Sequence, residues 1–551
     1  MLIVVASLSH IEPRDAGAQT ALPLKYTGKP TQTAITADDA MSRVYIFADD
    51  SMMGRAAGHI GGIKGTAYIE REVRRLGLVP AGDNGTFFQA VPLFTRTLDT
   101  SSRLMADTAA LTVVTDYAPI HAGGKPRPLE GLRVIYAGSM TDQGSMASPA
   151  QAAGKVVAVS GPTSGVARKY PGAMGFIVFR PDATMGQIRR FATGPATQLR
   201  SADDTAAKPL TMYVPVSAAP KFLGVPLENA RPGTVGRTLH GEVRYTVVDA
   251  PARNVVAILP GSDPVLKNQY VAIGAHNDHL GMRRAGPVDT DSMRAFNRIA
   301  SQIYIARTHE LPDLPGSGLT PEERASIKIN VDSLRAIRPV RLDSIYNGAD
   351  DDGSGTAGVL EIAERFAGAK VKPKRSLLFV WHTGEEDGLY GSEWFTDHPT
   401  VSRDSIVAQL NIDMIGRGGA SDIPGGGPAY LQLLGSRRLS TELGDLVEAV
   451  NKSYPNPFKF DYQFDATGHP EQYYCRSDHY EYARYGIPIT FFSTGGHVDY
   501  HQVTDEPQYL NYPHLVKVAT LVADVAERVA NLGHRVVVDK PKPDPKGECV
   551  Q

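Results

Sequence analysis

Four short apolar runs rich in β-branched and aromatic residues constrain this chain most: Asn254–Leu259, Tyr270–Ala275, Ser376–Trp381 and Val407–Ile412. Runs without polar alternation read as strands buried on both faces. A helical segment, Gly355–Phe366, separates two of them. Buried strands alternating with helices predict an α/β fold with a central, mostly parallel sheet and flanking helices. Near the end, Tyr512–Asn531 places Leu515, Val518, Leu521, Val522, Val525 and Val529 on one helical face, a closing amphipathic helix. Near the start, Thr36 caps a predicted helix through Phe47, and Gly65–Leu76 reads as a second, stopped by Gly77. The glycine-rich stretch between them, Gly54–Gly62, lacks the form of a phosphate-binding loop.

A chain of 551 residues exceeds what one core organises, so more than one domain is expected. Residues 110–245 differ in texture: β-like runs at Leu132–Ala137, Lys155–Ser160 and Gly175–Phe179 are spaced by Gly, Pro and Ser turns. They predict a mainly β domain inserted into an α/β domain made of 36–109 and 246–535. Within the latter, 284–345 is a polar, partly helical excursion. Residues 536–551 read as a disordered tail, and 1–35 as a signal-like or disordered lead-in. Leu2–Leu8 is apolar and Ala16-Gly17-Ala18 has the form of a signal-peptidase site, which favours a secreted or periplasmic protein over a cytoplasmic one. No later stretch reaches the ~20 apolar residues of a membrane span.

A net charge of −2 gives no footprint for nucleic acid. The two cysteines, Cys475 and Cys549, exclude a cysteine-rich zinc site and are expected as free thiols. Any metal is therefore held by His, Asp and Glu.

Those residue types cluster where the strands end. His276-Asn277-Asp278-His279 follows one run, and Thr383-Gly384-Glu385-Glu386-Asp387 another. Asn411-Ile412-Asp413 ends a third, His497-Val498-Asp499-Tyr500-His501 follows the run ITFFS, and Asp350-Asp351-Asp352 precedes the Gly355 helix. In open α/β sheets the ligand crevice lies beyond the carboxyl ends of the strands. Three adjacent aspartates repel one another unless a cation neutralises them, and one is enough to cap a helix. An aspartate among apolar residues, as at Asp413, is costly unless paired or coordinating. The set suits Zn²⁺ or a related divalent ion. Two ions sharing a carboxylate would lie ~3.5–4 Å apart.

The segments GAHNDH, GADDDGSG, GEEDGLYGS, NIDMIG and DYH resemble those of the co-catalytic di-zinc aminopeptidases, a family that includes the glutamate carboxypeptidases and the transferrin-receptor ectodomain. The likeness runs from about Asn254 to Asn531, with an entry segment at Gly54–Leu93; the stretches GKVVAVSG and GAMGFIVF resemble a protease-associated domain. The resemblance implies two zinc ions per chain, held by His276, Asp351, Glu386, Asp413 and His501, with Asp351 bridging. It also implies Glu385 as general base, Asp278 orienting His276, and Tyr500 near the oxyanion. The substrate implied is the N-terminus of a peptide or protein. The alternatives are a carboxypeptidase using Arg437, Arg438 or Arg476, a glutaminyl cyclase, or a non-catalytic receptor-like protein. Asn277 stands where many relatives have Tyr, and Asp352-Gly353 where Asn-Ala or Asn-Gly is common.

Overall fold

The computed structural model describes residues 22–29, 31–120, 123–162, 165–201, 206–312 and 314–551. The signal-like features at Leu2–Leu8 and Ala16–Ala18 lie outside these residues.

The predicted apolar runs all form strands of one nine-stranded sheet. Its middle is parallel: Ser376–His382 and Ile406–Ile412 flank Tyr270–His276, and Ile489–Ser493 lies beyond Ile406–Ile412. Antiparallel strands close both sides, Ala252–Leu259 at one and Tyr430–Leu434 at the other. Every residue of Ser376–His382 and Ile406–Ile412 is buried, which is why neither alternates polar with apolar.

Helix Gly353–Gly368 packs between this sheet and helices Ala37–Phe47 and Tyr512–Asn531. It is buried almost all round, as its near-continuous apolar sequence requires. Its exceptions, Glu361 and Glu364, meet Arg43 of the first helix, which is 1% exposed, so the buried charges are paired. The second helix begins at Ile60 rather than Gly65. Gly61 allows this: a Cβ there would lie 2.4 Å from the carbonyl oxygen of Met52.

The region predicted as an insertion, 110–245, belongs to an eight-stranded sheet that begins earlier than expected, at Arg103–Ala106, and runs to Val235–Glu242. Its entry and exit strands, Leu93–Leu98 and Tyr245–Asp249, pair antiparallel with each other, with Ala196–Leu199 on the other side of Leu93–Leu98. The excursion is a 19-residue helix, Thr290–Thr308, followed by two short ones. Arginines clamp it to the chain around Tyr500: Arg294 bonds Asp499 at 3.0 Å, and Arg341 bonds Glu506 at 2.6 Å.

Two expectations fail together. Cys475 and Cys549 are joined in a disulfide, their Cα atoms 5.8 Å apart. The segment after Asp539 has no regular secondary structure, yet it lies against the protein. Gln551 is 5% exposed; its side chain accepts from the Tyr474 amide at 3.0 Å and donates to the carbonyls of Phe464 and Ala466 at 3.0 and 3.1 Å. Polar composition suggested disorder, but main-chain partners at 464–474 satisfy this tail without an apolar core.

Candidate metal centre

The carboxyl ends of the parallel strands deliver their polar residues to one cavity. His276 is the last residue of its strand, Asp413 follows Ile412 directly, and Glu385 and Glu386 follow His382 after a two-residue turn. Tyr500 and His501 lie in the chain beyond Ser493.

The three aspartates divide their tasks. Asp352 caps helix Gly353–Gly368, accepting from the Gly355 amide at 2.9 Å, and its other oxygen accepts from the His276 amide at 3.1 Å. Asp350 accepts from the Gly416 amide at 2.7 Å and faces His497 Nε2 at 3.3 Å. Asp351 alone points into the cavity, one oxygen 3.1 Å from His276 Nε2 and the other 3.1 Å from His501 Nε2. The amides of Asp350 and Asp351 donate to Asp505, which fixes the turn. Behind it, buried Arg55 donates to the carbonyls of Asn347 and Gly348 at 2.6 and 2.8 Å. This explains the glycine-rich stretch. Gly54 has φ +65°, and a Cβ there would lie 2.2 Å from the carbonyl oxygen of Gly281.

Two sets of donor atoms share Asp351: His276, Asp351 and Asp413 form one, and His279, Asp351 and Glu386 the other, each within 4.8 Å mutually. His501 joins the second by distance, its Nε2 being 3.0 Å from Glu386 Oε2. Asp413 Oδ1 is buried without a hydrogen-bond partner, 3.6 Å from His276 Nε2. A buried carboxylate oxygen left unpaired among histidines and other carboxylates is the arrangement a divalent cation satisfies. The all-His/Asp/Glu donor set fits zinc.

All eight residues singled out in the sequence meet here, and the structure adds one. His279, fully buried, holds Glu386 Oε1 at 2.6 Å, so two imidazoles grip the two oxygens of Glu386. Its signal lay in the same GAHNDH segment, where only the first histidine received a role. Asp278 also differs in detail. His276 Nδ1 lies 3.1 Å from the main-chain oxygen of Asp278 and 3.7 Å from its carboxylate, while that carboxylate accepts from the Glu385 amide at 3.2 Å.

Burial pushes the Glu385 carboxyl well up, with Asp413 and Glu386 adding to the rise and His276 opposing it. Glu386 moves the other way, to about 2: burial opposes the fall, but His501 and His279 outweigh it. Adjacent glutamates thus face opposite environments. Asp387, beside them, is raised to about 7 by burial and the nearby Asp278, against a hydrogen bond from Thr197 of the strand Ala196–Leu199.

The cavity is closed by two further segments. The turn after the excursion's long helix contributes His309, Glu310 and Leu311, and the stretch 464–477 contributes Phe464, Tyr473 and Arg476.

Residues 331–526 match peptidase family M28. Among curated proteins, the chain is 42% identical over 78 residues to leupeptin-inactivating enzyme 1 of Streptomyces exfoliatus, covering 14% of this chain and 18% of that one. It is 27% identical over 195 residues to leucine aminopeptidase 1 of Aspergillus fumigatus, covering 33% and 47%. These matches span about half, or less, of the relatives' lengths. The aminopeptidase of Aneurinibacillus sp. strain AM-1 shares the fold, with a TM-score of 0.51 and 16% identity over 92% of this chain and 97% of that one. The span that matches the model of peptidase family M28 takes in Asp351, Glu385, Glu386, Asp413 and His501, so the likeness covers these five residues of the candidate centre.

Proposed function

We propose that the protein is a di-zinc aminopeptidase that hydrolyses the first peptide bond of a substrate with a free N-terminus. The observation that carries this reading is the sharing of Asp351 between two sets of donor atoms. His276 and Asp413 would hold one ion with Asp351, and Glu386 and His501 the other, with His279 fixing Glu386 from behind. When bound, the zinc pair supplies Lewis acidity to the scissile carbonyl and to the attacking water.

The residues of the chain supply the rest. Glu385, raised in pKa and held at its amide by Asp278, takes a proton from the water and returns it to the leaving amine. Tyr500 lines the cavity together with Asp351, Glu385 and Arg476, where its hydroxyl can donate to the oxygen that gains charge. The carboxylates around the centre favour an ammonium group near the scissile bond. The relatives named as aminopeptidases agree with this polarity, and the disulfide suits an exported protein in an oxidising compartment.

A carboxypeptidase would need a basic pocket. Arg437 is engaged with Asp445 and Glu448, and Arg438 with Asp465, so of the three arginines only Arg476 lines the cavity. Zinc-loaded protein is assayed on an aminoacyl anilide, its N-acetylated form and an acyl dipeptide with a free C-terminus. Hydrolysis confined to the free amine is the expected result; preference for the acyl dipeptide overturns the assignment.

A further inference from the structure

Among the described residues that line the cavity, Arg476 is the one arginine or lysine, in a lining that also includes the acidic residues Glu310, Asp351, Glu385, Asp413, Asp461 and Glu471. A guanidinium in that position is either neutralised by a neighbour or available to an incoming group. Its Nη1 lies 3.3 Å from the Glu471 carboxylate and 3.4 Å from the Glu471 carbonyl oxygen, and the guanidinium carbon is 4.9 Å from the centre of the Tyr473 ring. Both side chains are partly open to solvent, 44% and 32% exposed, so this pair is screened and weak. Arg476 lines the same cavity as Tyr500, Glu385, Asp413 and His501, and, against burial, the Tyr500 hydroxyl helps to hold its guanidinium charged.

The wall that carries Arg476 is built to hold it still. Cys475 is tied to Cys549, and Tyr474 donates its amide to Gln551. On the other side, Ser477 donates to Asp413 at 2.8 Å. Fixed backbone on both flanks reduces the entropy lost when a guanidinium engages a ligand. The planar fork of arginine matches a carboxylate with two parallel hydrogen bonds.

We propose that Arg476 recognises a carboxylate of the substrate, so that the site favours short peptides carrying an acid within reach of the scissile bond. This rests on the peptidase reading and deepens it. The ammonium end of such a substrate sits among the ligand carboxylates, and its acid displaces Glu471 from the guanidinium. Two parts of a short peptide offer that chemistry: the free α-carboxylate of a dipeptide, or an acidic side chain on the first residue.

The test measures kcat/KM for two matched pairs, Leu-Gly against Leu-Gly-amide and a glutamyl anilide against a glutaminyl anilide. It uses the zinc-loaded wild type, Arg476→Gln, Arg476→Lys, and Arg437→Gln as a control, with melting temperatures confirming the fold. In at least one pair the acid is expected to be preferred by about tenfold or more, the scale of a charge-assisted pair at a partly open site. The preference collapses toward one in Arg476→Gln, survives in part in Arg476→Lys, and is retained in Arg437→Gln. Preference in the dipeptide pair places the acid on the leaving side; preference in the anilide pair places it on the first residue. No preference in either pair, or one that persists in Arg476→Gln, overturns the proposal. If no peptide is turned over, the peptidase reading fails separately. The acid-to-amide ratio is then read from equilibrium binding of Leu-Gly and its amide to the same proteins, with the same criteria.

Discussion

The hydroxyl of Ser477 donates to Asp413 Oδ2 at 2.8 Å and accepts from Asn411 Nδ2 at 3.0 Å. One serine thus joins the cavity wall to a carboxylate of the candidate metal centre, leaving Asp413 Oδ1 free to face His276. Partners of this kind set ligand orientation, and their loss typically costs about 10–100-fold in metal affinity. Ser477→Ala is therefore expected to weaken metal binding on that scale, measured by competition with a chelator, while the apo-protein melts close to the wild type. Unchanged affinity would show that Asp413 is oriented by its own strand end.

The two adjacent glutamates give a sharper contrast. Glu385→Gln keeps the shape but accepts no proton, so turnover should fall by ~10²–10⁴-fold with two metal ions still bound. Glu386→Gln, by contrast, should lower metal occupancy, because His279 and His501 both address that carboxylate. Metal content by elemental analysis beside kcat separates the two; the reverse pattern would exchange their roles.

The residues of the centre were legible because strand ends were. Buried strands must be apolar, so a His or Asp at the end of one, as at His276 and Asp413, stands out against its neighbours. The role of His279 was hidden by its closeness to His276: three residues apart in sequence, their ring nitrogens serve different carboxylates. The disulfide was illegible for a different reason. Cys475 and Cys549 are separated by 74 positions, and nothing local signals that hydrogen bonds from Gln551 bring the tail back onto the wall. The cavity's outer closure by His309–Leu311 was equally hidden, since it depends on where Arg294 and Arg341 anchor the excursion.

That staple has a measurable consequence. Cys549→Ser removes a cross-link closing a long loop, for which about 2–4 kcal/mol of stability is typical. It also frees the stretch 464–477 at one end, next to Arg476 and Ser477. The melting temperature should fall, and KM for a short peptide should rise more than kcat falls. The wall meets substrate through Arg476, while four of the five proposed ligands, His276, Asp351, Glu386 and His501, are held by segments other than the wall. A fall in kcat alone, with KM unchanged, would show that the wall keeps its shape without the tail.

Acid should weaken the fold through two histidines that lie outside the proposed ligand set. Burial holds His479 down to about 3, with Arg438 adding to the fall and Asp478 and the Tyr474 backbone opposing it; its ring stacks on Phe491 at 4.6 Å. Burial likewise holds His514 down to about 4, with Lys517 adding to the fall and Asp350 opposing it. In the unfolded chain both would titrate near 6.5. Between the folded and unfolded values the unfolded state binds more protons, so each histidine contributes stability that is fully present above about pH 6.5 and is lost as pH falls. Each can steepen the loss by up to about 1.4 kcal/mol per pH unit within its window. Other groups, the metal ligands among them, also titrate there, so the test is a difference. Chemical denaturation of wild type and His479→Gln is compared from pH 7 to pH 4.5. The variant starts less stable, because a packed ring is lost, but its stability should decline less steeply with acid. Parallel declines would mean that His479 takes up its proton inside the fold, with Asp478 close enough to hold the charge.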